Sequence, residues 1–157
     1  MAAIELFLQP VPDFGTGYLH SRFEILVEQY AKTLNIEMNL MRELFRTQIL
    51  PAAIQDQKRR AAALVSMKEL DLKPDVHQMN ALKELSAAIG QAIADIDEME
   101  KIHNQTQDLG WEAKARVFCE LGVPRMEQAR KSVDMLETLV DNALWPLPKY
   151  REMLFLT

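Results

Sequence analysis

The 157-residue chain carries 18 lysines and arginines against 23 aspartates and glutamates, a formal net charge of −5 with the two signs interspersed. That balance excludes a sequence-independent nucleic-acid binder, which needs a basic block to track phosphates, and no apolar run of about 18 residues is present to span a membrane. With no charged leader before an apolar core and cleavage site, a cytoplasmic protein is expected, long enough for one domain with a real core.

In chain order, Met1 to His20 is an apolar lead-in segment. Pro10, Pro12, Gly15 and Gly17 exclude a continuous helix past Gln9, which leaves a short helix at Ala2 to Leu8 and then irregular chain. Ser21 followed three residues later by Glu24 has the form of a capping box and opens a helix expected over about 21–70. Phe23, Leu26, Tyr30, Leu34, Met38, Met41 and Phe45 recur every three or four residues as one buried stripe, the helix is interrupted once at Pro51, and Pro74 forbids continuation. Asp75 with Gln78 starts a second helix over about 75–104, its stripe running through Met79, Leu82, Leu85, Ile89, Ala92, Ile96, Met99 and His103. A third spans about 111–142, with Glu112 in its first turn and Asn142 at its close. Pro146 and Pro148 make residues 143–157 an extended tail with a short turn at Tyr150 to Leu154.

The fold expected is therefore all-α: an antiparallel three-helix bundle with one very long, Pro-kinked first helix. Folding the chain back about residues 73 and 107 brings Pro51, Gly90 and Pro124 to one height, where the bundle is expected to bend as a unit. The second helix covers the first only back to about residue 43, so Ser21 to Arg42 is expected to project. This half is apolar on a second face as well, through Ile25, Ile36 and Leu40, and such a face is normally covered by another subunit or domain.

Residues able to do chemistry are sparse. His20, His77 and His103 have no metal-ligand spacing, and the glycines form no phosphate-cradling loop. Asp95, Asp97, Glu98 and Glu100 read as a solvated acidic face beside Lys101, and Lys58, Arg59 and Arg60 as a small basic patch paired with nearby acids. The single cysteine, Cys119, cannot form an internal disulfide and, beside Phe118, is expected to be an inert core thiol. Of the nine methionines, Met38, Met41, Met79, Met99 and Met126 are expected to fill the core.

Three blocks carry a resemblance: His20-Ser21-Arg22-Phe23-Glu24-Ile25, Ile49-Leu50-Pro51-Ala52-Ala53-Ile54-Gln55-Asp56-Gln57, and Leu144-Trp145-Pro146-Leu147-Pro148-Lys149-Tyr150-Arg151-Glu152-Met153-Leu154-Phe155. In this order they resemble the C-terminal region of type III glutamine synthetases, over Leu19 to the end; Met1 to Tyr18 match only loosely. The resemblance implies a parent reaction of ATP-dependent ligation of ammonia to glutamate. In that family the reaction runs on a barrel of strands whose clustered glutamates hold divalent cations, and those motifs lie upstream of the matched region. ATP and divalent metal are thus expected only in the full-length parent, with no cofactor, metal or catalytic residue in this chain, which is expected to be inactive alone as an enzyme.

The expected role is structural or in subunit assembly, with the catalytic domain of the same enzyme, neighbouring subunits or a homo-oligomer as partners, and neither nucleic acid nor membrane. Interaction candidates are Ile25, Ile36 and Leu40 together with the tail anchors Trp145, Tyr150 and Phe155, whose plainer role is to seal the bundle end. The alternatives are a standalone helical adaptor, which needs an open apolar groove along the second and third helices, and a catalytic chain completed by a partner that supplies the barrel.

Overall fold

The computed structural model describes residues 16–149, with side chains from His20 onward. Among these residues there are helices and turns and no strand. The expected helix at Ala2 to Leu8, the tail turn at Tyr150 to Leu154, and the candidates Tyr150 and Phe155 lie outside them.

The first helix is built of α1 (Thr16–Leu44), a π-helical turn π1 (Phe45–Ile49) and α2 (Leu50–Glu69); the second is α3 (Val76–Gln105); the third is α4 (Trp111–Val117), π2 (Phe118–Gly122) and α5 (Val123–Leu139). This is the expected all-helical, three-helix architecture with one long first helix. Its start differs from the expectation. The chain is already helical at Thr16, so Ser21 is an interior residue and no cap. Glu24 Oε1 lies 3.3 Å from His20 Nε2, one turn back, a pairing along the helix surface in place of a reach back to the Ser21 N–H. The start of α3 follows its sequence signal: the Asp75 carboxylate accepts from the His77 N–H at 3.0 Å, and Gln78 Oε1 accepts from the Asp75 N–H at 3.2 Å.

Each interior proline is met by a π-turn. Proline has no N–H, and its ring collides with the carbonyl four residues back; a wider turn ahead of it moves that carbonyl aside. Leu50 N–H accordingly donates to Phe45 O, and Val123 N–H to Phe118 O, each five residues back. The two sites match in sequence: a buried phenylalanine stands six residues before the proline, Phe45 before Pro51 and Phe118 before Pro124. Across Gly90, by contrast, α3 is unbroken.

The expected common height fails for Pro124. Arg46 reaches Asp97 and Glu100, and Gln57 reaches Ser86, which sets Pro51 level with Ala92 and close to Gly90. Asp95 takes hydrogen bonds from Gln128 and Ser132, which sets Pro124 level with about Met99, some two turns or about 10 Å away. The third helix enters later than a tight fold about residue 107 allows, because residues 106–110 form a turn before Trp111.

The core joins Leu34, Met38, Phe45, Ile49 and Ala53 of the first helix to Leu85, Ile89, Ile96 and Met99 of the second, and to Phe118, Ala129 and Leu136 of the third. Its limits correct three expectations. Burial on the first helix begins at Ala31, while Leu26 and Tyr30 of the expected stripe are exposed. The projecting part is shorter than expected, because α4 reaches back far enough for Lys32 Nζ to lie 5.3 Å from the Trp111 ring. Met79, at the other end, is exposed.

Candidate interaction surface

Two faces of α1 are apolar, and they point in opposite directions. At about 100° per residue, Ala31, Leu34 and Met38 fall on the side turned to the core, where all three are buried. Ile25, Ile36 and Leu40 lie within about 60° of one another on the reverse side and are 61%, 65% and 53% exposed. Covering each of these side chains fully stabilises an assembly by about 1.5–3 kcal/mol. None of the three has to stay in water to keep the bundle folded.

The candidate Trp145 is placed differently. It is only 8% exposed and belongs to the bundle's own core, with Lys149 Nζ 5.8 Å from its ring. A polar latch holds it there. Asp56, 4% exposed, accepts from Arg60 Nε at 3.0 Å and from the Asp141 N–H at 3.4 Å. Arg60 Nη2 also donates to Leu139 O at 2.6 Å, capping the end of α5, and Arg59 lies 3.3 Å from Asp141. Asp141 O in turn accepts from the N–H groups of Leu144 and Trp145. Asp56, Arg59 and Arg60 therefore fasten the start of the tail to the first helix, while Gln57 bonds Ser86 of α3.

The acidic stretch of α3 is divided between two environments. Asp97 and Glu100 pair with Arg46, and Glu100 also with Arg42, at 2.6–3.2 Å. Hydrogen bonds from Arg46 hold the Glu100 carboxyl below its ordinary range against the opposing effect of burial. Asp95 is not on a solvated face: it is buried and joins α3 to α5 through Ser132. Burial pushes its carboxyl up, but hydrogen bonds from Ser132, Gln91 and Gln128 and the Arg125 charge outweigh this and hold it low. A polar groove beside it is lined by Glu120, Pro124 and Arg125. Between the second and third helices the apolar side chains Ile96, Met99 and Leu136 are closed off, at most 1% exposed.

His103 is buried at the turn into the third helix. Burial, followed by the charges of Arg42 and Lys114, pushes its imidazole below the ordinary value of 6.5, with Glu100 acting weakly in the other direction. Cys119 is exposed and no core thiol, because Phe118 takes the inward position at the head of π2. Among the described residues no three histidine, cysteine, aspartate or glutamate side chains converge as a metal-binding set, and no helix is long and apolar enough to cross a membrane.

Comparison with known proteins gives a consistent match. A family model described as Glutamine synthetase C-terminal domain matches residues 13–68. The chain is 33% identical over 150 residues to a glutamine synthetase of Bacteroides fragilis (strain YCH46), a match covering 90% of this chain and 20% of that protein. It is 34% identical over 144 residues to a type-3 glutamine synthetase of Dictyostelium discoideum, covering 88% of this chain and 20% of that protein. The chain thus spans about a fifth of the length of these relatives.

Proposed function

The chain belongs to the glutamine synthetase family through its C-terminal domain, and from that premise we propose that it is a structural module which holds the catalytic part of a type III enzyme and its neighbouring subunits in position. The ligation of ammonia to glutamate at the expense of ATP is assigned to the catalytic barrel of the whole enzyme, which supplies the divalent metal and cationic clamps that phosphoryl transfer requires. The bundle contributes rigidity and surface.

One observation carries this reading: the reverse face of α1, where Ile25, Ile36 and Leu40 stand exposed opposite a face already committed to the core. A helix apolar on two opposite sides is made to lie between two bodies, and here only one of them is the bundle.

The test is to mix the purified chain with the Bacteroides fragilis enzyme deleted for its matching region and to follow association by sedimentation velocity. The two are expected to co-sediment, with affinity lowered at least tenfold by Ile36→Glu with Leu40→Glu and helicity unchanged. A chain that ignores the catalytic part overturns the proposal. Glutamine formed by the chain alone from ATP, magnesium, glutamate and ammonia overturns the assignment of the chemistry.

A further inference from the structure

The third helix leaves the other two before they end. α5 stops at Leu139, whose carbonyl accepts from Arg60, while α2 runs on to Glu69 and α3 begins at Val76. Beyond Arg60, the line that α5 followed continues between them as an open groove. Its walls follow from a period of about 100° per residue. Ala63, Met67 and Leu70 extend the row of Asp56 and Arg60 on the first helix. Glu84 and Ala81 extend the row of Asp95 and Ala88 on α3, and Asp95 is the residue that α5 holds through Ser132. No residue from Gln57 to Glu84 is buried, and Leu70 at the far end is 71% exposed.

We propose that this groove is filled by the tail of the same chain, residues 150–156. Place, length and chemistry select that occupant. Trp145 sits in the core and Lys149 Nζ donates to Glu137 O at 2.8 Å, so the chain is delivered to the mouth of the groove beside the end of α5. A segment tethered there is present at a millimolar effective concentration. From Arg60 to Leu70 the groove runs about 15 Å; residues 150–156 span about 10 Å as a helix and about 23 Å extended, so they fill it in either form.

Tyr150, Met153, Leu154, Phe155 and Leu156 are large and apolar, and the small Ala63 and Ala81 leave room for them. Charge agrees. Gln57 reaches Ser86, which sets Glu84 level with the end of α5. Among the described residues Glu84 has no ion pair, and Arg151, two residues after Lys149, supplies the counter-charge at that height. Filling the groove gives the two-helix part its third layer. It also withdraws Tyr150 and Phe155 from the surfaces open to neighbouring subunits and leaves that role to the reverse face of α1.

The test uses the full 157-residue chain. In a Cys119→Ser background, Met67→Cys with Phe155→Cys is expected to form a disulfide within one molecule under mild oxidation, read as a monomeric mass under non-reducing conditions; Ile36→Cys with Phe155→Cys is not. Leu154→Glu with Phe155→Glu is expected to speed amide hydrogen exchange over residues 61–67 at least tenfold, with the circular dichroism spectrum and exchange over residues 89–99 unchanged. Arg151→Glu is expected to act in the same direction, and Glu84→Arg to reverse it. A covalent dimer in place of the internal disulfide gives the groove to a second copy and overturns the proposal. The absence of any cross-link, or exchange indifferent to the tail substitutions, overturns it as well. The catalytic part of the enzyme takes no part in these measurements, so their failure and a failure to bind that part are read independently.

Discussion

Asp56→Ala removes the centre of the latch that ties the tail to the first helix. The carboxylate accepts from Arg60 Nε at 3.0 Å and from the Asp141 N–H at 3.4 Å; without it the guanidinium keeps only Leu139 O. Breaking a buried pair by removing one partner costs about 3–5 kcal/mol. The Arg60 side chain is 31% exposed and recovers part of its hydration, which brings the expectation to about 2–3 kcal/mol. With a urea slope of about 1–3 kcal/mol per molar, the midpoint falls by about 1 M. In an Arg60→Met background the same substitution is expected to cost at least about 1 kcal/mol less, because no cation is left stranded. Fluorescence in a Trp111→Phe background, which isolates Trp145, is expected to shift to the red before helicity is lost. A midpoint unchanged by Asp56→Ala, or strict additivity with Arg60→Met, would refute the latch.

Three further substitutions address other parts of the bundle. Phe118→Ala empties a fully buried site at the head of π2 and is expected to lower stability by about 3–5 kcal/mol in urea titration; a loss below about 1 kcal/mol contradicts its place in the core. Asp75→Ala removes the acceptor of the His77 N–H and is expected to cost about 1 kcal/mol, read as a lower thermal midpoint; Asp75→Asn, which keeps a side-chain oxygen, should recover most of it. His103 has a depressed value in the folded protein, so the unfolded chain binds its proton first on acidification. Stability from this group is complete above about pH 6.5 and falls as pH drops toward the folded value. His103→Gln is expected to flatten the stability profile between about pH 7.5 and 5.5, and an unchanged slope there contradicts a buried neutral imidazole.

What was legible in the sequence was periodicity and punctuation. Asp75 with Gln78 is a local signal, settled by two hydrogen bonds within one turn, and it reads correctly from four letters. Ser21 with Glu24 has the same spacing and fails, because preceding chain that is already helical leaves no orphan N–H to cap. The second apolar face of α1 was visible in the spacing of Ile25, Ile36 and Leu40, since opposition of two faces is a property of one helix. Asp95 and Cys119 misled for a common reason: the partner or competitor is distant or displaced. Asp95 is held by Ser132, 37 residues away, which no local window displays. Cys119 is turned outward by a π-turn, whose extra residue shifts every position after it out of the ordinary period; the buried phenylalanine six residues before each proline was its only trace. The exposure of Met79 was missed because a stripe such as Met79, Leu82 and Leu85 looks alike whether or not a third helix arrives to cover it.

The π-turns bear on how the chain could have acquired its length. One residue inserted into a plain α-helix turns everything beyond it by about 100°, whereas a π-turn swallows that residue and leaves the register on both sides as it was. Residues 45–49 and 118–122 are thus places where the molecule carries a spare residue. Deleting exposed Thr47 together with Pro51→Ala should yield a continuous α-helix with Ile25, Ile36 and Leu40 still facing as they do now. Deleting Glu43 instead, a few residues earlier, would rotate that face by more than a quarter turn against the core. Two insertions absorbed in this way, each marked by its own proline, are what a bundle would retain after lengthening two of its helices without re-aiming either end.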